Sequence, residues 1–502
     1  MQWNQLIDEV TTLERGAASS GVVTGVEYDS RRVTAGSVFV AMRGGTTDGN
    51  RFIDVAIAQG SVGVITDSEE AFLALAEKEI PAALAAHGRV ALAQASAAFF
   101  GHPERTMRTV GITGTNGKTT TAFLLEALLQ HAGRKTMLVG TIEYHVTGEV
   151  RASAHTTPES RDLFALMAEG AARGASELVM EVSSHALDQG RVDGVGFDVG
   201  VFTNLTRDHL DYHQSMDAYF AAKRLLFDGA RYPAPRVAVL HADDERTPEL
   251  AEAGRKAGSL VVTYGMGVGA EWRAEKVELV PAGARFVLRS PHGSALVQSK
   301  LAGEVNVLNL LGALAAAAAR GVSFNALVEA IPLLVPVPGR FQPIDAGQPF
   351  SVIVDYAHTD DALRNLLRLS KQLTGLSHKR VLTLFGCGGD RDRTKRPKMG
   401  LAAGEASDFV VVTSDNPRSE EPMAIIEEIL PGLESTGAPF AVEPDRAQAI
   451  ALIAGMARDG DVVLLAGKGH EKEQILRDRT IFFDDAQVAL SALRSLGYGE
   501  KR

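Results

Sequence analysis

One cysteine, Cys387, is all that the 502 residues contain, which excludes an internal disulfide framework and fits a reducing compartment. Long apolar runs are missing as well. The most apolar helical stretch, residues 308–319, contains Asn309 and stops at Arg320, short of the ~20 residues a membrane span requires. There is no basic excess. The formal net charge is −11, which argues against a nucleic-acid partner, whose phosphates need a broad basic face. The start, Met1-Gln2-Trp3-Asn4-Gln5, lacks the basic opening and apolar run of a signal peptide. No internal repeat is visible, and no low-complexity tract beyond the alanine-rich stretch 313–319. A hydrophobic content of 45% and a charged content of 23% are those of a soluble, cytoplasmic globular protein with no membrane insertion. At this length roughly three domains are expected.

Residues 1–103 alternate short β-rich runs (22–23, 37–41, 62–65) with helical stretches such as 52–59, and close near Gly101-His102-Pro103. A second α/β segment, 104–338, carries apolar strand-like runs at 109–113, 136–139, 178–182, 199–203 and 237–241. The proline-rich Val335-Pro336-Val337-Pro338-Gly339-Arg340 stiffens a junction. The third segment, 339–502, has strand-like runs at 351–355, 380–385, 409–413 and 461–466. Strands alternating with helical patterns predict an α/β fold whose parallel sheets are covered on both faces.

The most informative stretch is Gly114-Thr115-Asn116-Gly117-Lys118-Thr119-Thr120, between the strand-like 109–113 and a helix-like run at 121–132. Glycines there let backbone N–H groups crowd around phosphate oxygens, and the following helix N-terminus adds positive potential. Lys118 then reaches the terminal phosphates and the Thr119 hydroxyl serves magnesium. Ile112 stands where the general phosphate-loop motif has glycine, so the shorter form points to a particular class of ATP user. The bland alternative is a glycine-rich surface loop.

Further polar residues follow strand-like runs, where a parallel sheet presents its ligand crevice. Glu181, Ser183, Ser184 and His185 follow one run, and residues 203–209, ending in Asp208-His209, follow another. Glu181 and His209 are candidates to join Thr119 around Mg²⁺, although imidazole is an unusual ligand for so hard a cation. Each alone reads more often as a satisfied hydrogen-bonding residue than as a ligand; together, at strand ends of a nucleotide-binding sheet, the ligand reading leads. Lys223, alone, reads as a solvated helix lysine; beside magnesium it makes electrostatic sense only as a CO₂-derived carbamate, which spacing does not show. In the third segment the polar runs 385–392, 414–418 and 466–471 also follow strand-like runs. Arg391 and Arg418 offer planar forks suited to carboxylates, and Asp415 and Glu471 offer acceptors for ammonium groups. Both signs of charge together suit a zwitterionic amino acid; turn chemistry with surface ion pairs is the alternative.

Over essentially its whole length the sequence resembles the Mur ligases of peptidoglycan synthesis. The resemblance rests on 114–120, on Glu181-Val182-Ser183-Ser184-His185, on 203–213, on Gly303-Glu304-Val305-Asn306-Val307-Leu308-Asn309, on Pro338-Gly339-Arg340-Phe341 and on Asp355-Tyr356-Ala357-His358. Thr156-Thr157-Pro158 and Asp415-Asn416-Pro417-Arg418 are more selective and resemble the branch that adds diaminopimelate. The family resemblance implies three domains, with bounds 1–103 for a UDP-substrate domain, 104–338 for a central ATPase and 339–502 for a dinucleotide-fold-like, amino-acid-binding domain. It implies that Gly114, Thr115, Asn116, Gly117, Lys118, Thr119, Thr120, Asn306, Arg340, Asp355 and His358 bind ATP. Thr119, Glu181, His209 and a carbamylated Lys223 would serve Mg²⁺, with Lys118, Glu181, His209 and Lys223 catalytic. Tyr28 and Ser30 would contact the UDP end of UDP-N-acetylmuramoyl-L-alanyl-D-glutamate, and Thr156, Thr157, Ser183, Gln189 and Arg191 its muramoyl dipeptide. Arg391, Asp415, Asn416, Pro417, Arg418, Gly467 and Glu471 would bind meso-diaminopimelate. A monomer is expected. The sequence departs from the family at His358-Thr359-Asp360-Asp361, where the family has proline third, and at 43–48, which leaves those UDP contacts unassigned. The rival readings are a folylpolyglutamate synthase, a lysine-adding ligase and a catalytically silent nucleotide-binding regulator.

Overall fold

The computed structural model describes residues 1–17, 19, 21–45, 47–280, 283–374 and 379–499. Thr46, inside the unassigned stretch 43–48, lies outside the described residues. The chain divides into two compact units, Met1–Trp272 with Leu311–Leu327, and Arg273–Leu310 with Val328–Arg502. Among the described residues no helix is long and apolar enough to cross a membrane.

The first unit opens with a five-stranded sheet. Strands Gly25–Glu27, Ser37–Ala41, Gly63–Thr66 and Ala82–Leu84 run parallel, and the short Glu14–Arg15 pairs antiparallel at one edge. Period-2 alternation splits Ser37–Ala41 between two cores. Val38 and Val40 pack with Trp3, Leu6 and Leu92, while Phe39 packs with Phe72 and Leu75. The expected run at 22–23 is only an isolated bridge from Val22 to Gln2.

The larger sheet of this unit places Arg108–Thr113 at its centre. Its parallel order is Leu260–Gly265, Val237–His241, Val199–Phe202, Arg108–Thr113, Glu177–Glu181 and Thr136–Val139. The chain leaves Arg108–Thr113 toward one side and later returns to the other, so the sheet's switch point falls at Thr113, between Glu181 and Phe202. Open α/β sheets bind ligands there, at the strands' carboxyl ends. One departure from the all-parallel expectation is the hairpin Glu143–Val146 and Glu149–Ala152, which extends the sheet antiparallel.

The second unit is built on a six-stranded sheet. Its parallel strands are ordered Ser351–Asp355, Val462–Ala466, Val381–Phe385, Phe409–Val412 and Phe440–Val442, with Gln342–Ile344 antiparallel at the edge. Helices cover both faces, and the strand interiors are buried on both sides, as a parallel sheet demands. This unit also holds an antiparallel meander from strands Trp272–Val280, Gly283–Ser290 and Gly293–Ser299. The sequence reading leaves it out: its alternating pattern is half exposed and carries no chemistry-bearing residues.

Candidate active site

The phosphate loop is held open by its neighbours rather than by its own glycines alone. Gly114 has φ +146°, and a Cβ there would stand 1.9 Å from Thr203 Oγ1, so only glycine fits. Thr115 N donates to the carbonyl of Asn204 at 2.9 Å. The Asn204 side chain accepts from Asn116 N and donates to Asn116 O, both at 3.0 Å. Thr203 Oγ1 donates to the same carbonyl at 2.6 Å, and Thr206 N donates to Thr115 Oγ1 at 3.0 Å. The loop following strand Val199–Phe202 therefore braces 114–116 atom by atom. Helix Lys118–His131 starts at Lys118 itself, three residues before the expected run, which puts Thr119 and Thr120 in its first turn.

Lys118 Nζ donates to the carbonyls of Gly114 and Thr115, each at 2.8 Å. Lys223, expected alone to be a solvated helix lysine, is 1% exposed. Its Nζ donates to Gly114 O at 2.9 Å and lies 4.2 Å from the centre of the Tyr219 ring. Burial, reinforced by the Lys118 charge, holds its amine well below the ordinary lysine range. Hydroxyl Tyr219 is 3.2 Å from Thr115 Oγ1.

Glu181 is completely buried at the end of its strand. Its Oε2 accepts from Thr119 Oγ1 at 2.9 Å and Thr141 Oγ1 at 3.0 Å, and Oε1 accepts from Thr141 N at 2.8 Å. Thr119 and Glu181 are thus adjoining hard oxygen donors, a pair that fits magnesium held partly by nucleotide phosphates. Among the described residues no three His, Cys, Asp or Glu side chains are arranged to hold a metal by themselves. His209 holds φ +52°, a costly backbone state that concentrates at functional sites. Its ring lies 4.8 Å from His185 and 6.0 Å from Tyr219, centre to centre. Burial and the His209 and His213 imidazoles push His185 down to about 4, so it is neutral.

The dipeptide candidates adjoin this cluster. Thr156 Oγ1 is 3.1 Å from Thr141 Oγ1, and Thr157 Oγ1 donates to Glu181 O at 2.8 Å while accepting from Ser183 N. Arg191 donates to Thr157 O and to Gln189 Oε1 and pairs with Glu159 at 3.3 Å. Ser183 Oγ caps its helix by accepting from Ala186 N. Tyr28 and Ser30 stand in the opening sheet module, where the Tyr28 hydroxyl donates to Asp162 at 2.8 Å and Ser30 is buried.

In the second unit, Asp355 accepts from Phe341 N at 2.7 Å and Ala357 N at 2.9 Å. The Arg340 guanidinium lies 4.8 Å from the Tyr356 ring centre, and His358 Nδ1 is 3.0 Å from Tyr356 O. Asn306 is buried and donates to Ala302 O. The three polar runs of this unit follow adjacent strands and meet. Asn416 Nδ2 donates to Glu471 Oε2 at 2.8 Å, and Gly467 has φ +112°, where a Cβ would come 3.1 Å from Asp415 Oδ2. Asp415 and Asn416 are buried, unlike the side chains of a surface turn. Arg418 holds φ +52° and its Nη1 donates to Gly389 O at 2.8 Å. Pro417 lies between them in the same loop, and Arg391 is exposed, with Nη1 on Asp390 O.

Reading the sequence does not single out Thr141, Lys468 or the pair Arg446–Asp485. Thr141 carries a signal, since it follows a glycine at a strand end. Lys468 sits in Gly467-Lys468-Gly469-His470-Glu471, and as a lysine, a residue type usually solvated, it carries no mark of its burial. Arg446 and Asp485, both fully buried and paired at 2.6 Å, are 39 residues apart with no local mark.

Three family models match the chain: "Mur ligase family, catalytic domain" over 22–102, "Mur ligase middle domain" over 112–317, and "Mur ligase, glutamate ligase domain" over 339–469. The chain is 49% identical over 478 residues to a UDP-N-acetylmuramoyl-L-alanyl-D-glutamate--2,6-diaminopimelate ligase from Solibacter usitatus, covering 95% of this chain and 94% of the relative. It is 42% identical over 476 residues to the ligase of that name from Geobacillus thermodenitrificans, covering 94% and 95%. A solved structure under the same ligase name superposes with a TM-score of 0.69 at 33% identity, over 95% of this chain and 96% of that one. A Mycobacterium tuberculosis folylpolyglutamate synthase complexed with ADP superposes with a TM-score of 0.59 at 19% identity, over 82% and 94%, a likeness of fold alone.

Proposed function

The chain belongs to the Mur ligase family, and on that premise we propose that it is the ATP-dependent ligase that joins meso-diaminopimelate to the D-glutamate γ-carboxylate of UDP-N-acetylmuramoyl-L-alanyl-D-glutamate. It works as a cytoplasmic monomer in peptidoglycan precursor synthesis. Its domains run 1–103, 104–338 and 339–502, for the UDP substrate, ATP and the amino acid. The observation that carries the substrate assignment is the buried Asp415 and Asn416 with the partly exposed Glu471 beside Arg418, acceptors and a fork together for an amino acid with a second carboxylate.

The γ-carboxylate attacks the γ-phosphate of ATP, giving an acyl phosphate and ADP. The amine of diaminopimelate then attacks the acyl carbon and phosphate leaves. Residues 114–120 cradle the phosphates, and Lys118 offsets charge on the transferring group, where positioning and electrostatics do most of the work. Thr119, Glu181 and His209 would hold Mg²⁺, which would neutralise phosphate charge. Lys223 would serve as its carbamate; the support for this is a buried amine whose pKa burial lowers, favouring the uncharged form that adds to CO₂. Asn306, Arg340, Asp355 and His358 hold the rest of the nucleotide. Tyr28 and Ser30 take the UDP end, and Thr156, Thr157, Ser183, Gln189 and Arg191 the dipeptide. Arg391, Asp415, Asn416, Pro417, Arg418, Gly467 and Glu471 take diaminopimelate.

An amino-acid panel with the UDP-linked dipeptide, ATP and Mg²⁺ tests this, with product mass and ADP release as readouts. Diaminopimelate is expected to be used at least ~10²-fold better than lysine, since lysine leaves a guanidinium unmatched. Equal use of lysine would overturn the substrate assignment.

A further inference from the structure

The amino-acid pocket contains a cation that none of the substrate assignments uses. Lys468 has a side chain with no exposed surface. Its Nζ donates to Asn416 Oδ1 at 3.1 Å and Glu471 Oε2 at 3.3 Å, and lies 3.6 Å from Asp415 Oδ1. An ammonium has three donors; two are spent on Asn416 and Glu471, and Asp415 Oδ1 stands just beyond hydrogen-bond reach as an ion-pair partner.

Its neighbours are fixed from behind. Asn416 Oδ1 also accepts from Ile475 N at 3.0 Å, and Asp415 O accepts from Gln474 Nε2 at 2.8 Å. The Arg446 guanidinium donates to the carbonyls of Ser414 and Ala466, the residues just before Asp415 and Gly467. Asp415 Oδ1 is buried without a hydrogen-bond partner. Two carboxylates therefore stand on one ammonium, Asp415 buried with an unfilled acceptor and Glu471 with a third of its side chain exposed. Like charges so placed repel, and a cation between them offsets that repulsion.

We propose that Lys468 is the positioning residue of this pocket, the counter-charge that holds the Asp415, Asn416 and Glu471 side chains side by side so that the two carboxylates accept the ammonium of the incoming amino acid. The inference rests on the ligase reading above. The other charged or titratable groups facing the pair are Arg446, Tyr356, His358 and Cys387, with Arg391 and Arg418 on the neighbouring loops. Arg446 is committed to Asp485, which leaves Lys468 as the cation bonded to the pair.

The test is steady-state kinetics on Lys468→Met with the full substrate set. The diaminopimelate KM is expected to rise about tenfold or more, the order of one charge-assisted hydrogen bond lost. The ATP KM stays within about twofold. An unchanged diaminopimelate KM, or equal rises in both KM values, overturns the proposal. If Lys468→Met does not fold, Asp415→Asn with and without Lys468→Met replaces it, and there the second change is expected to cost less than about threefold. A full tenfold cost in that background overturns the proposal too. Wild-type protein that fails to use diaminopimelate overturns the ligase reading instead, so the two failures are distinct.

Discussion

Lys223 and Arg418 show how burial decides what a cation is for. Lys223 is 1% exposed, forms no ion pair among the described residues and faces Lys118 across the Gly114 carbonyl. Such a site favours the uncharged amine, whose lone pair adds to CO₂ with loss of a proton to give a carbamate. Wild-type protein in ¹³C-bicarbonate is expected to show a carbamate carbonyl resonance that Lys223→Met lacks. Identical spectra would remove the carbamate from the mechanism. Arg418 stays a cation. Its Nη1 is fixed on Gly389 O and Asn416 O, while Nε and Nη2 take no part in those bonds and remain for a carboxylate. Arg418→Ala is expected to raise the diaminopimelate KM by ~10²-fold, the cost of an unmatched charge, and to leave the ATP KM nearly unchanged. Small, equal changes in both would sink that assignment.

At the scale of elements, the strand–loop–helix carrying 114–120 was legible because its chemistry is local: glycines, a lysine and a helix start within ten residues. The brace from 203–206 was legible as a motif but not as a contact, since strand Val199–Phe202 reaches the loop only by pairing with Arg108–Thr113. Asn204→Ala removes two hydrogen bonds to Asn116, worth about 1 kcal/mol each. Its ATP KM is expected to rise about tenfold with the diaminopimelate KM unchanged; an unchanged ATP KM would show that the loop stands without its brace. The hairpin beyond Thr136–Val139 was not legible, because its strands are short and half exposed. It is tied to helix Lys118–His131 by His145, whose Nδ1 is 2.5 Å from Glu126 and Nε2 2.9 Å from Glu143. Burial opposes the charge on His145, but both carboxylates outweigh it and raise the group from 6.5 to about 8. The stabilisation is therefore complete below about pH 6.5 and is lost as pH rises through about 8. The Tm gap between wild type and His145→Gln should accordingly close between pH 6 and 9. A gap that widens with pH would reverse the sign.

Across the molecule, what sequence does not reveal is which distant charges meet. Glu27 and Arg161 are 134 residues apart, and nothing near either marks the other. Yet Glu27, 6% exposed, takes Arg161 Nη2 at 2.7 Å on one oxygen and Arg32 Nε at 3.2 Å on the other. Arg161 also donates to Val26 O, and Asp162 receives Arg32 and the Tyr28 hydroxyl. This network fastens the opening sheet module to helix Ser160–Ala172, just after Thr156 and Thr157. Tyr28 is the proposed contact for the UDP end and the two threonines for the dipeptide end, so one substrate spans both sides of the joint. Glu27→Gln keeps the shape and removes the charge, leaving two guanidiniums short of a carboxylate. Both arginines are partly exposed, and solvent screening brings the cost below that of a fully buried pair, to about 2 kcal/mol. Because the two ends of the substrate would no longer be held in register, its KM is expected to rise several-fold, while the ATP KM, which we propose is set by 114–120, does not move. The discriminating measurement is the pair of KM values on protein that still melts cooperatively. If the UDP-substrate KM is unchanged while Tm falls, the network holds the fold together without setting the distance between the substrate's two ends.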